Sequence, residues 1–339
     1  APVARWWPLL VAHSAASLPR GLSTARVFGW DCVLDVADHA HMSSTPVLRG
    51  TTRADLLAMP SVLLGFHPTN SCVVMGLCGA TVAFCARLEV DWFVHHFDDV
   101  ADQIINASSQ VEACRFVIIG YGDPDLAGLA VTELASVVGE ARVIDALVTD
   151  GRNTWALDAD LEAHVIESTS SSLEAQAVYQ GIRICGDRGE AVAPVELHNP
   201  APRQEVEAAE ALVSAMSPEE GMDVLEQLAE SPVQLNPREA CLLSVLLEDE
   251  DHLGALLARL SMDTADRMWP HLVSARQAAT PQSEANILAL LGIASWLSGR
   301  GAAQTSCLEQ LARIHPGHEL GRLLARVHRD AIPPRRWDE

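Results

Sequence analysis

The chain has 339 residues, 49% of them hydrophobic and 20% charged, which is enough for two ordinary cores and too apolar for a mainly disordered polymer. Its formal net charge of -22 sets up a field that repels phosphate backbones and anionic lipid, so nucleic acid and membrane surfaces are poor partners. All 23 Lys-plus-Arg positions are arginine, and the missing lysine removes P-loop, Schiff-base, Ser-Lys and kinase-type chemistry together.

The eight cysteines are Cys32, Cys72, Cys78, Cys85, Cys114, Cys185, Cys241 and Cys307, with no C-x-x-C pair among them. Most lie in apolar runs such as Cys72-Val73-Val74, where cysteine acts as a small hydrophobe. Free thiols in a reducing cytoplasm are therefore expected, rather than a disulfide framework. No stretch approaches the ~20 apolar residues of a membrane span. The run Trp6 to Ala12 behind Arg5 is short for a signal peptide and is interrupted by Pro8.

Residues 1–41 show no sustained period of 2 or 3.6 and contain no methionine. Met42, in Met42-Ser43-Ser44-Thr45-Pro46, reads as a natural start, so 1–41 are expected to be a poorly structured extension that is not native.

An α/β domain is expected over 48–186. A helix opens at Thr51 or Thr52 as cap, with Asp55 in its first turn and Leu56 to Leu64 supplying apolar faces. Gly65-Phe66-His67-Pro68-Thr69-Asn70 breaks the chain, and Ser71–Leu77 and Thr81–Val90 form a hairpin about Cys78-Gly79-Ala80. A three-residue turn sets Ser71 opposite Arg87; a two-residue turn sets Cys72 there. Val94–Ala113 reads as a helix, Arg115–Gly120 as a buried strand and Leu126–Val138 as a helix. Arg142–Thr149 is a further strand, continued past Asp150-Gly151 by Arg152–Leu157. This alternation implies a helix-flanked sheet that the hairpin makes mixed.

Residues 187–202, with Gly189, Pro194, Pro200 and Pro202, read as a linker, and 203–330 as an all-helical domain. Capping boxes start helices at Ser217-Pro218-Glu219-Glu220 and Asn236-Pro237-Arg238-Glu239. The acidic tract Glu248–Asp251 supplies N-terminal charge to the helix that follows. Further helices are expected at Leu253–Leu260, Thr264–Ala278, Ser283–Leu297, Ala302–Ile314 and Glu319–His328. Leu291-Gly292, Gly299, Leu308 and Pro316 fall at tetratricopeptide spacing, although Gln304 stands where that motif has alanine. A single tetratricopeptide-like hairpin is the expectation, since a stacked array needs about three copies.

Candidate binding residues gather where the hairpin meets its incoming loop. His67, Asn70, Ser71 and Arg87 bring an imidazole, an amide, a hydroxyl and a guanidinium to one end of the sheet, a set able to hold an anion or an acyl group. The same residue types also suit a hydrogen-bonded loop, with Arg87 paired to Glu89. Tyr121, in Gly120-Tyr121-Gly122-Asp123-Pro124, stands at a strand's carboxyl edge, where α/β proteins place ligands, but without a G-x-G-x-x-G fingerprint. Arg152, in Asp150-Gly151-Arg152-Asn153-Thr154-Trp155, completes the set beside a second turn. No catalytic residue is assigned. The short ligand pairs of a zinc site are missing, the adjacent His95 and His96 point to different sides, and no metal or cofactor is expected.

The runs Ala54-Asp55-Leu56-Leu57 and Val62 to Leu77 resemble the opening of a family of actinobacteria and their phages, described as a domain of unknown function, number four-one-nine-two. Phe84-Cys85-Ala86-Arg87, Gly120-Tyr121-Gly122, Asp150-Gly151-Arg152, Ser172 to Gly181 and the hairpin around Trp296 and Gly299 extend the resemblance over roughly 50–330. Leu157-Asp158-Ala159-Asp160 departs from it, standing where a cysteine- and proline-containing loop is expected. The resemblance implies architecture and host range rather than chemistry. The expectation is a cytoplasmic, non-catalytic protein-binding or adaptor protein that engages another protein through its helical part. The alternative is a small-molecule or anion-binding enzyme using the α/β part.

Overall fold

The computed structural model describes residues 9–11, 32–35, 47–111, 113–157, 163–166 and 171–337. The expectations for 1–41 and for the start at Met42 lie outside these residues, two short strands apart, as does the stretch after Leu157. The chain divides into two compact units, one of residues 1–188 with 328–333, the other of 189–327 with 334–339.

The first unit carries β1 (Leu9–Val11), β2 (Cys32–Asp35), β3 (Val47–Gly50), α1 (Arg53–Leu64), β4 (Ser71–Cys78), β5 (Thr81–Glu89), α2 (Trp92–His95) and α3 (Phe97–Gln110). It continues with β6 (Arg115–Tyr121), α4 (Pro124–Val138), β7 (Val143–Thr149), β8 (Thr154–Leu157), β9 (Ala163–Ile166) and α5 (Leu173–Tyr179). Six strands lie side by side in the order β5-β4-β6-β7-β8-β9, and β1, β2 and β3 extend the sheet from β5. The sheet is mixed: β6 and β7 run parallel, while β4 is antiparallel to both β5 and β6.

Period-2 alternation divides the side chains of the central strands. Cys72, Val74, Ala86, Leu88, Phe116, Ile118, Ala146 and Val148 enter one core with Val100 and Ile104 of α3 and Ala127, Val131 and Leu134 of α4. Ser71, Val73, Arg87, Glu89, Ile119, Tyr121, Leu147 and Thr149 therefore occupy the other face. There α1 is tied to the sheet by the Tyr121 hydroxyl, which donates to the Leu57 carbonyl at 3.2 Å. Thr52 caps α1 in a reciprocal box with Asp55, and Gly65 ends it in the left-handed region at φ 76°.

The hairpin register differs from both expected ones. Cys78 pairs with Thr81 around a two-residue turn, but the pairing shifts between Leu77↔Val82 and Gly76↔Phe84, leaving Ala83 as the extra residue of a bulge. Arg87 consequently lies opposite Val73, and Ser71 opposite Glu89. The chain also turns back after Thr149: β8 pairs antiparallel with β7 instead of continuing it.

The second unit carries α6 (Arg188–Glu196), α7 (Arg203–Ala215), α8 (Pro218–Ala229), α9 (Pro237–Leu246), α10 (Glu250–Arg259), α11 (Ala265–Gln277), α12 (Glu284–Leu297), α13 (Gly301–Ile314) and α14 (Glu319–Arg329). The stretch 187–202, expected as a linker, contains α6. Val192 and Val195 of α6 are buried, and Pro194 is accommodated inside the helix. Both predicted capping boxes are present, at Ser217/Glu220 and Asn236/Glu239, and Asp249 caps α10.

Helices α12 and α13 form a hairpin around Gly299. A Cβ on Gly292 would lie 3.3 Å from the Cys307 Cβ and 2.4 Å from the Leu324 side chain, so the bare backbone of α12 sets the spacing. The tetratricopeptide likeness of this hairpin rests on sequence spacing alone. No helix among the described residues is long and apolar enough to cross a membrane.

Candidate functional site

Strand register builds a polar row across the end of the first unit's sheet. Glu89 pairs with Ser71, Ser71 with Tyr121, and Tyr121 with Thr149, all four on the face beneath α1. The row inward of it, Arg87-Val73-Ile119-Leu147, is apolar except for Arg87. The Arg87 guanidinium reaches outward along the strands to the end of the polar row. Its Nη1 donates to Glu89 Oε1 at 2.7 Å, its Nη2 to the Thr69 carbonyl at 3.3 Å, and the Phe66 ring centroid lies 5.9 Å from its Cζ.

Two donors in this neighbourhood have no hydrogen-bond partner among the described residues. Ser71 is fully buried with Oγ unpaired, and Arg87, 5% exposed, has Nε unpaired. An unmet buried donor costs about 1–3 kcal/mol, which makes the pair a departure from the usual rule of satisfied polar groups. Tyr121, in contrast, spends its hydroxyl on Leu57. Burial pushes its phenol well above the ordinary value of 10, with Cys85, Cys72 and Glu174 adding to the shift.

His67 stands on the loop between α1 and β4, its backbone N–H bonded to the Cys185 carbonyl at 3.2 Å. Its Nδ1 is 3.1 Å from Ser61 Oγ and 3.7 Å from Glu174 Oε1. Serine, histidine and carboxylate make the composition of a catalytic triad but not its wiring. A triad uses both ring nitrogens, one for the nucleophile and one for the acid, whereas both contacts here fall on Nδ1. Ser61 and Glu174 carry no sequence signal of this meeting, because the packing of α5 against α1 brings them together.

The other two candidates belong to turns. Asn70 is exposed with φ 45°, and a Cβ on Gly122 would come within 2.7 Å of its Oδ1, so the β6–α4 loop closes tightly on it. Arg152 is exposed on the β7–β8 turn. That turn is organised by Asp150, which accepts from the backbone N–H groups of Arg152 at 2.8 Å and Asn153 at 2.6 Å. These bonds, together with the Asn153 side chain, hold the Asp150 carboxyl below its ordinary value of 3.8. Of the six candidates, then, Ser71, Arg87 and Tyr121 share one face, His67 guards the incoming loop, and Asn70 and Arg152 shape turns. Among the described residues, no three metal-ligating side chains converge.

The second unit presents a concavity of another kind. Between α7 and α9 lies a groove of about 450 Å³, lined by Gln204, Glu205, Ala208, Ala209, Leu212, Arg238 and Leu242. Leu212 is 49% exposed, and Ala209 is the buried residue of α7. The groove's lining carries one acid, Glu205, and one base, Arg238.

A family model matches residues 54–335, most of the chain. The chain belongs to the family described as Domain of unknown function (DUF4192). The match takes in the polar row, the His67 loop and the helices from α6 to α14. No curated protein and no solved structure matches.

Proposed function

We propose that this DUF4192 protein is a non-catalytic protein-binding or adaptor protein, and that its helical unit takes a partner segment in the α7–α9 groove. The observation that carries this reading is the groove itself, with an apolar lining of Ala208, Ala209, Leu212 and Leu242 and a polar rim. A concave apolar surface with few polar groups is the kind of site that receives an anchoring side chain. Glu205 in the lining and the chain's net charge of -22 favour a segment that sets an apolar anchor among basic residues. The tetratricopeptide-like spacing of α12 and α13 belongs to the same reading, in which 48–186 and 203–330 act as separate domains. A reducing, cytoplasmic setting fits the seven unpaired cysteines of the described residues.

The test is a peptide-display selection against the full chain. The expected consensus is an aliphatic or aromatic residue flanked by Lys or Arg, bound at least tenfold more weakly by Leu212→Glu. Failure to enrich a consensus, or binding indifferent to Leu212→Glu, would overturn the groove.

A further inference from the structure

We propose that Ser71 and Arg87 form a binding site for a small monocarboxylate at the sheet end of the α/β unit, a function separate from the helical groove. The fold brings to one place two buried donors that the described chain leaves without acceptors, the Ser71 hydroxyl and the Arg87 Nε–H. Register explains their proximity. Ser71 and Val73 share a face of β4, Arg87 is opposite Val73, and its guanidinium extends to Glu89, the partner of Ser71, and to the Thr69 carbonyl. A donor pair of this kind asks for one group with two acceptor oxygens.

The neighbours select the charge of that group. Glu89 already places a carboxylate oxygen 2.7 Å from Arg87 Nη1, which shows the guanidinium accepting this chemistry. The same carboxylate offsets the arginine's charge, so the pair has no net charge with which to hold a dianion. A dianion such as phosphate therefore meets repulsion that a monocarboxylate meets only by half. Glu89, with its side chain 45% exposed, is able to swing into solvent and yield Nη1 to the ligand. Phe66 backs the guanidinium, and the buried Val73 and Ile119 make the neighbouring row apolar, which favours a short aliphatic acid over a polar one.

The experiment measures thermal midpoint and calorimetric heat for the full chain with acetate, propionate and butyrate, against chloride at matched ionic strength, with inorganic phosphate as a separate arm. The expected result is a midpoint that rises with carboxylate concentration as a site of defined affinity requires. In Ser71→Ala the apparent affinity falls about tenfold or more, the loss of a hydrogen bond to a charged group. Ser71→Ala removes only a buried hydroxyl, so the variant is expected to fold, and Arg87→Gln provides a second reading. A wild-type midpoint blind to carboxylates, or a response undiminished in Ser71→Ala, overturns the site. A response to phosphate alone overturns the carboxylate assignment.

Discussion

Gly76 and Phe84 face each other across β4 and β5, and the Phe84 ring fills the space a side chain on Gly76 would need. A Cβ built at Gly76 would lie 2.1 Å from Phe84 Cε1. On its other side Gly76 pairs with Phe116, whose ring meets Phe84 edge-on at 6.4 Å. Two aromatic rings thus close over one glycine, immediately beside the bulge that moves Arg87 away from Ser71's partner position.

Gly76→Ala is accordingly expected to destabilise the α/β unit by about 1–3 kcal/mol, the range for overpacking a filled core. The upper end is favoured because Phe84 is fully buried and cannot turn aside without disturbing Phe116. Urea unfolding gives the number. Phe84→Leu in the same chain should recover part of the loss, since the two residues compete for one volume. An additive double variant would refute the steric account.

That bulge also marks the limit of what the sequence discloses. The helix caps at Thr52, Ser217 and Asn236 are local chemistry within four residues, and each is where the residue types place it. The alternation of β4 to β7 is equally local and yields a mixed, helix-flanked sheet. The register of β4 on β5 is instead accompanied by a contact far along the chain, where Phe116 pairs with Gly76 and its ring meets Phe84 edge-on. Short elements such as β3, β9, α5 and α6 lack enough residues to show a period. The site divides in the same way. Ser71 and Arg87 are nameable from the hairpin, whereas Ser61 and Glu174 reach His67 only through helix packing.

The Arg53–Asp145 pair offers a second measurement. Arg53 begins α1, and its Nε and Nη2 reach the two carboxylate oxygens of Asp145 on β7 at 2.7 and 3.2 Å. The Asp145 side chain is 3% exposed, whereas that of Arg53 is 48% exposed. Arg53→Met leaves a buried carboxylate without its cation. The expected cost is about 2 kcal/mol, below the ~3–5 kcal/mol of a fully buried pair because Arg53 is half in water. Arg53→Met combined with Asp145→Asn should cost less than Arg53→Met alone, since no charge is then stranded. Equal midpoints for the two would show the ion pair to be unimportant.

Tyr121 gives an optical test of burial. With Tyr179 changed to Phe, Tyr121 is the sole phenol, as the sequence holds two tyrosines. Desolvation holds its phenol protonated well above pH 10. Absorbance at 295 nm should therefore stay flat through pH 10 and rise only with unfolding. Ionisation near pH 10 in the folded chain would show that the polar row is open to water. Tyr121→Phe loses the bond to Leu57 and should cost about 1 kcal/mol.

His318 supplies a pH dependence in the helical unit. Its Nε2 lies 2.9 Å from Asn286 Oδ1, and its Nδ1 accepts from the Gly321 N–H at 3.4 Å, a pattern that requires neutral imidazole. Burial first, then the neighbouring His315, lowers its pKa from the ordinary 6.5, with Arg322 acting the same way and Glu319 opposing. Below pH 6.5 the unfolded chain therefore takes up a proton that the folded chain still refuses. The stability from this residue is complete above pH 6.5 and is lost as pH falls through the lowered folded value. Urea midpoints at pH 7.5 and 5.5 should draw together in His318→Gln relative to the unmodified chain. An identical difference in both proteins would assign the pH dependence to other groups.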